Sequence, residues 1–433
     1  MPVEKIDTLI VGGGQSGIAM SEHLGDLGIP HLVLERDRVA ESWMSRRWDS
    51  LVANGPAWHD RFPNLTFDEV EPDAFPHKER VAKYLQDYAR KIEAPIRTGV
   101  EVKHVRHNEN RAGYVVTTSA GVFEANRVVA ATGPFQIPTR PTLVPTDAGV
   151  DQIHSSDYKN PGQLAEGAVL VVGCGASGSQ IAGELCGAGR KVYLSVGEHY
   201  RPPRAYRQRD YCWWLGVLGL WDEVRIKPKK KHVAFAVSGY GGGETVDFRR
   251  LAGDGITLVG MTDSYDRGAI RFRDDLAHNI AVGDESYFEI LREADLYVGR
   301  KGMNLPAEPE AWERLPDPDC LLRPLTSLNL AEAGITTIVW ATGFRYDFSW
   351  LDVDAFDEDG APLHKRGVSA ENGIYFIGLP NLSNRASSFI YGCWHDAKHI
   401  AGHIASQRSY DAYERVSRAP DASPDLSLAP RTV

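Results

Sequence analysis

The pattern Gly-x-Gly-x-x-Gly stands twice in this chain, each time in the same surroundings. Residues 6–11 read Ile-Asp-Thr-Leu-Ile-Val and run into Gly12, Gly14 and Gly17; residues 168–172 read Ala-Val-Leu-Val-Val and run into Gly173, Gly175 and Gly178. A short apolar run closed by a glycine turn predicts a buried strand. Helix-compatible sequence follows each turn, in the first case from Ser16 to about Leu27 with Gly28 as its stop, in the second to about Ala188. A second strand then follows at 31–34, ending at Glu35, and at 191–194, ending at Ser195. The repeat is of a strand–turn–helix–strand unit, so the expected fold is α/β with two dinucleotide-binding, Rossmann-like domains.

The chemistry of the turn follows from its glycines. They let the backbone approach a pyrophosphate, and the helix behind aims its unpaired N–H groups and positive dipole end at the phosphates. Glu35, eighteen residues after Gly17, can accept from ribose hydroxyls. In the second unit Ser195 takes the acid's place, with Arg201 and Arg204 just beyond. A carboxylate there would repel a 2′-phosphate, whereas a serine with arginines would accept one, which points to NADPH. Two dinucleotides on one chain have a reason if a flavin takes hydride from a nicotinamide, so the expected pair is FAD and NADPH.

Between and after the repeats, residues 79–92 carry apolar positions at helical spacing, and 113–130 read as antiparallel strands with a turn at 119–121. Ala-Thr-Gly occurs at Ala131, Thr132, Gly133 and again at Ala341, Thr342, Gly343, the second after a strand-like 336–340. If the NADPH domain is inserted in the FAD domain, these are the two crossings. The expected organisation is then 1–158 and 344–405 for FAD, 159–343 for NADPH, and a loosely ordered tail from 406 to 433.

Composition bounds the partners. The 433 residues are 42% hydrophobic and 24% charged with net charge −10, which disfavours nucleic acid and acidic membranes. The local run Lys227, Lys229, Lys230, Lys231 reads as a solvated face. Five cysteines without a Cys-x-x-Cys pair disfavour a disulfide framework, a zinc site and a redox pair. No signal peptide or membrane span is read, and the expected location is the cytoplasm. Tyr211, Trp213, Trp214 and Trp221 read as core in preference to a pocket lining. The oligomeric state, a homodimer included, stays open.

Further segments carry a family resemblance over residues 5–405. Trp-Asp-Ser-Leu-Val-Ala-Asn-Gly-Pro at 48–56, both Ala-Thr-Gly segments and Ile-His-Ser-Ser-Asp-Tyr at 153–158 resemble the class B flavoprotein monooxygenases. That group holds flavin-containing, N-hydroxylating, Baeyer–Villiger and plant auxin-forming enzymes. His154 and Tyr158 match its motif F-x-G-x-x-x-H plus aromatic, while Ala148 and Val150 replace the Phe and Gly. Read without the family, His154 is a structural histidine near a linker. Gly-Ile-Tyr-Phe-Ile-Gly at 373–378 resembles the strand that returns beside the flavin, and 387–392 with Asp396 and Ala397 resemble the closing segment, where a helix is expected to begin near Asp396.

The resemblance implies that FAD is contacted by Gly12, Gly14, Gln15, Ser16, Gly17, Glu35, Arg36, Trp43, Thr132, Gly133 and Asp396. NADPH would be held by Gly173, Gly175, Ala176, Ser177, Gly178, Ser195, Arg201, Arg204, Ala341, Thr342 and Gly343. It further implies a C4a-peroxyflavin, with dioxygen and a small organic molecule as substrates, and Asn54 as the amide that hydrogen-bonds the peroxide. Two other enzyme readings compete. A disulfide reductase lacks its cysteine pair here, and an oxidase that makes only hydrogen peroxide remains open.

Overall fold

The computed structural model describes residues 3–224 and 234–417. The lysine-rich run at 227–231 lies outside the described residues. Strand Glu4–Val11 sits inside a 10-stranded sheet, paired in parallel with His31–Leu34 on one side and Gly121–Ala130 on the other, so that Leu9 faces both Leu32 and Val128. Side chains of a strand alternate between faces. Ile10 therefore joins Ile18, Tyr84 and Ile400 under the helices, while Leu9 and Val11 join Val116 and Phe376 on the opposite face. Burial on both faces explains why this strand shows no polar alternation at its end.

The helices are those that the periodicity predicts. Gln15–Asp26 begins at the uncapped Gly14 and ends at Leu27, where Gly28 takes φ +63°. Lys78–Lys91 buries Val81, Tyr84, Leu85 and Tyr88 along one stripe, and the His77 side chain accepts from the Glu79 N–H at its start. The second sheet is all parallel and runs Thr257–Val259, Val192–Ser195, Ala168–Val172, Ile335–Trp340, Asp151–His154. Its central strand repeats the two-faced logic of the first. Val169 and Val171 pack with Ile181 and Leu185, and Leu170 and Val172 pack with Ile270 and Leu330.

Each Ala-Thr-Gly segment follows a central strand and leads into a short antiparallel ribbon, Ile137–Pro138 against Phe344–Arg345. His154 ties this region together. Its Nε2–H donates to the Gly343 carbonyl at 3.0 Å, and its Nδ1 accepts from the Ser156 N–H at 3.1 Å. Both ring nitrogens are used and the ring is fully buried, so burial lowers its pKa and the role is structural.

The C-terminal expectations need correction. The last helix is Ile390–Ser417, which starts before Asp396 and continues beyond 406. Ile390, Cys393, Ala397, Ile400, Ala401 and Ile404 form one buried stripe, facing helix Gln15–Asp26. Beyond it, Asp411 pairs with the buried Arg127 at 2.6 Å. The polar composition read as loose tail belongs, through residue 417, to the outer turns of an anchored helix. Among the described residues no helix is long and apolar enough to cross a membrane.

Candidate active site

The first glycine turn is closed by contacts that only glycine permits. A Cβ on Gly17 would stand 1.9 Å from the Gly12 carbonyl oxygen, and one on Gly12, at φ +113°, 2.6 Å from the Ala131 oxygen. A Cβ on Gly14 would meet nothing within 4 Å. The turn is thus tight beneath and open above, where a pyrophosphate would reach the free N–H groups of the helix. Glu35 organises the turn as well as facing it: its carboxylate accepts from the Gly13 N–H at 2.7 Å and from the Asp37 N–H at 2.9 Å. Gln15 donates to the Ser388 carbonyl at 2.9 Å and accepts from the Trp43 indole at 3.4 Å. Ser16 approaches the returning chain so closely that a Cβ on Gly378 would stand 2.1 Å from its Oγ. Thr132 accepts from Gln136 at 2.9 Å, above Gly133 another open position. Arg36 is exposed beside Asp37.

Asp396 lies in the second turn of its helix, so the expected helix start beside the flavin is not there. Its carboxyl is buried, one oxygen is bonded by Ser383, and the other has no partner among the described residues. Burial raises its pKa. An acceptor left over in this position, with the open space above Gly14 and Gly133, fits a dinucleotide that carries a hydroxylated chain. FAD is such a molecule.

The second turn has the same closure. A Cβ on Gly178 would stand 1.8 Å from the Gly173 oxygen, and one on Gly173 2.4 Å from the Ala341 oxygen. Ala176 and Ser177 open the helix behind it. Thr342 donates to the Thr139 carbonyl, and the Gly343 carbonyl accepts from both His154 and the Thr139 N–H. Above Gly175 the chain itself is near: Ala234 and Phe235 approach to 3.5 and 3.6 Å of the position a Cβ would take.

The structure gives each of the expected 2′-phosphate contacts a partner within the protein. Ser195 is buried and donates to the Gly260 carbonyl at 2.9 Å. Arg201 is buried between Asp284 at 2.9 Å and Asp247 at 3.3 Å. Arg204 pairs with Asp210 at 2.7 Å and donates to the Asn54 carbonyl at 2.6 Å. Both guanidiniums are neutralised by carboxylates in this structure and help to hold the protein together.

Asn54 is where the two units meet. Its side-chain oxygen accepts from Gln180 Nε2 at 3.1 Å, and Gln180 stands one turn into the helix behind the second glycine turn. Four residues on, and so on the same helix face, Glu184 accepts from Ser50 and from Tyr158, each at 2.6 Å. The loop of the first unit is therefore clamped by one face of a second-unit helix. Asp60 closes the same loop, accepting from the Gly55 N–H at 3.1 Å and from His59 Nδ1 at 2.9 Å. The Asn54 amide N–H groups have no acceptor among the described residues. Trp214, Trp221 and Tyr211 are buried, in keeping with their reading as core.

Comparison with known proteins places this arrangement. Residues 9–214 match the family model described as pyridine nucleotide-disulphide oxidoreductase. An uncharacterised CzcO-like oxidoreductase of Geobacillus kaustophilus is 32% identical over 403 residues, covering 92% of this chain and 98% of its own. The probable indole-3-pyruvate monooxygenase YUCCA1 of Arabidopsis thaliana is 32% identical over 412 residues, covering 92% of this chain and 89% of its own. The chain belongs to the flavin monooxygenase family. A flavin-containing monooxygenase of Stenotrophomonas maltophilia has the same fold, with TM-score 0.64 at 17% identity over 94% of this chain and 100% of that one. The enzyme is thus an oxidoreductase of a family that pairs FAD with NADPH. Gln180 and Glu184 were not singled out from sequence. The signal available was their spacing of four on the helix that follows Gly178.

Proposed function

We propose that the enzyme is an NADPH- and FAD-dependent monooxygenase that transfers one oxygen atom of dioxygen to a small organic substrate in the cytoplasm. The observation that carries this reading is the clamp on Asn54. Gln180 and Arg204 belong to the proposed nucleotide unit, residues 159–343, and hold a loop of the proposed FAD unit, residues 1–158 and 344–405. Bound FAD supplies hydride acceptance and oxygen activation. The chain's own part is to orient and to exclude water. Gln180 occupies the Asn54 amide oxygen, which turns the amide N–H groups outward as donors for an oxygen that gains negative charge. Buried Leu51, Ala53, Pro56 and Ala57 keep the loop dry.

The test is isotope incorporation from labelled dioxygen across a panel of amines, sulfides, ketones and aromatic compounds, with hydrogen peroxide measured alongside. Labelled product from at least one class, with less peroxide released per NADPH in its presence, is the expected result. Complete conversion of oxygen to peroxide across the panel would make the enzyme an oxidase.

A further inference from the structure

Beside the two-stranded ribbon lies a cavity of about 460 Å³, with Arg46, Arg47, Lys159, Ser156, Phe135 and Phe344 in its wall. Three of these six are cations. The carboxylate in the same wall, Asp157, is bonded by Arg140. Lys159 donates to the main-chain oxygens of Ser45 and Arg47. Arg46 stands 3.7 Å from Asp37.

Arg47 differs from both. Among the described residues its guanidinium has no carboxylate and no carbonyl within bonding reach. It lies over the ring of Phe135 at 4.6 Å, with the Trp43 ring at 5.8 Å. Those ring faces attract the cation but leave its N–H edge unused. Burial, with Arg46 nearby, lowers its pKa to about 10. Arg47 is half-buried, and among the described residues the more deeply set arginines Arg127, Arg201, Arg204 and Arg249 are all paired with aspartates. An inset guanidinium without a counter-charge is a costly arrangement. Its planar fork matches an oxyanion two N–H groups at a time.

We propose that this cavity is a phosphate-binding site, with Arg47 as its principal ligand and Arg46 and Lys159 as flanking cations. Three cations against one already paired carboxylate favour a multiply charged anion over a single carboxylate. Phe135 and Phe344 offer apolar surface to whatever carries the phosphate. The phosphate could belong to one of the dinucleotides or to a separate molecule, and the chemistry of recognition is the same. The inference does not depend on the monooxygenase reading.

The probe is inorganic pyrophosphate titrated into the FAD-bound protein, followed by thermal unfolding and calorimetry with and without saturating NADP⁺. FAD release from the same preparations is followed by flavin fluorescence. A response in the wild type that NADP⁺ abolishes assigns the site to the coenzyme, and one that NADP⁺ leaves unchanged assigns it to a separate ligand. No response, together with FAD release made about ten- to a hundredfold easier by Arg47→Met, assigns it to the flavin's own pyrophosphate. Where pyrophosphate does respond, Arg47→Met weakens it by the same factor and Arg47→Lys by less, since the charge remains but the fork does not. Arg47→Met also removes an unpaired inset charge, so the variant is expected to fold. A variant that releases FAD and responds to pyrophosphate as the wild type does overturns the proposal.

Discussion

Gly14→Val and Gly17→Ala change the same turn and should fail in opposite ways. Gly14 has φ −84° and ψ −171°, an extended conformation open to any residue, and a Cβ there meets nothing within 4 Å. The valine variant should therefore fold with stability within about 0.5 kcal/mol of the wild type. Its side chain, however, fills the space through which a pyrophosphate would reach the helix N–H groups. Loss of even one charge-assisted hydrogen bond costs about 1.5–3 kcal/mol, roughly ten- to a hundredfold in affinity. Gly17 is already inside the helix, where glycine to alanine ordinarily gains about 1 kcal/mol. Here the added methyl would stand 1.9 Å from the Gly12 oxygen, which is backbone and cannot swing aside. Overpacking of this kind costs about 1–3 kcal/mol or more. The assay is the flavin-to-protein absorbance ratio of the purified variants together with urea unfolding. A Gly14→Val protein with full flavin content, or a Gly17→Ala protein as stable as the wild type, would refute the reasoning.

Three further outcomes are expected. Gln180→Ala frees the Asn54 amide to turn, and loss of one neutral hydrogen bond, about 0.5–1.5 kcal/mol, should raise the hydrogen peroxide released per NADPH about two- to tenfold; an unchanged ratio would remove Gln180 from the site. Arg204→Ala leaves Asp210 and the Asn54 carbonyl without their partner, so unfolding free energy should fall by about 3–5 kcal/mol while the preference between NADPH and NADH stays as it was; a selective loss of NADPH use would restore the phosphate role. Burial pushes the pKa of His199 down to about 4 and also lowers that of His154. The unfolded chain takes up these protons first, so the stability present above pH 6.5 is lost as pH falls from about 6.5 towards 4, by about 3 kcal/mol for His199; urea midpoints at pH 7 and pH 4.5 that shift equally in wild type and His199→Gln would contradict this.

What the sequence made legible was what adjacent residues decide. The strand–turn–helix units and the stop at Gly28 rest on local backbone demands, and the structure has them within a residue or two. What it hid was partnership at long range. Arg204 looked available because nothing near it in sequence is acidic before Asp210, and its contact with the Asn54 carbonyl spans 150 positions. Ser195 occupied the right place in the pattern, yet its hydroxyl turns to the Gly260 carbonyl beside the neighbouring strand. The helix start expected near Asp396 rests on the resemblance of 387–392 with Asp396 and Ala397 to the family's closing segment. The buried stripe from Ile390 to Ile404 instead starts the helix at Ile390, six residues earlier. Gln180 and Glu184 carry ordinary helix-surface chemistry, so only the docked loop reveals what they hold.

The ribbon of Ile137–Pro138 against Phe344–Arg345 has a mechanical meaning. In the proposed organisation everything between these two strands leaves and rejoins the outer unit at neighbouring points, so to that unit the insertion is a closed loop with its ends already stapled side by side. Joining the ends of such a loop costs the outer unit little chain entropy, whatever the insertion contains. The stem is not the sole tie: Trp48 and Leu51 share a core with Val169 and Leu194, and Gln180, Glu184 and Arg204 hold the loop from Ser50 to Asn54, so the ribbon fixes where the chain returns and these contacts fix the angle at which it lies.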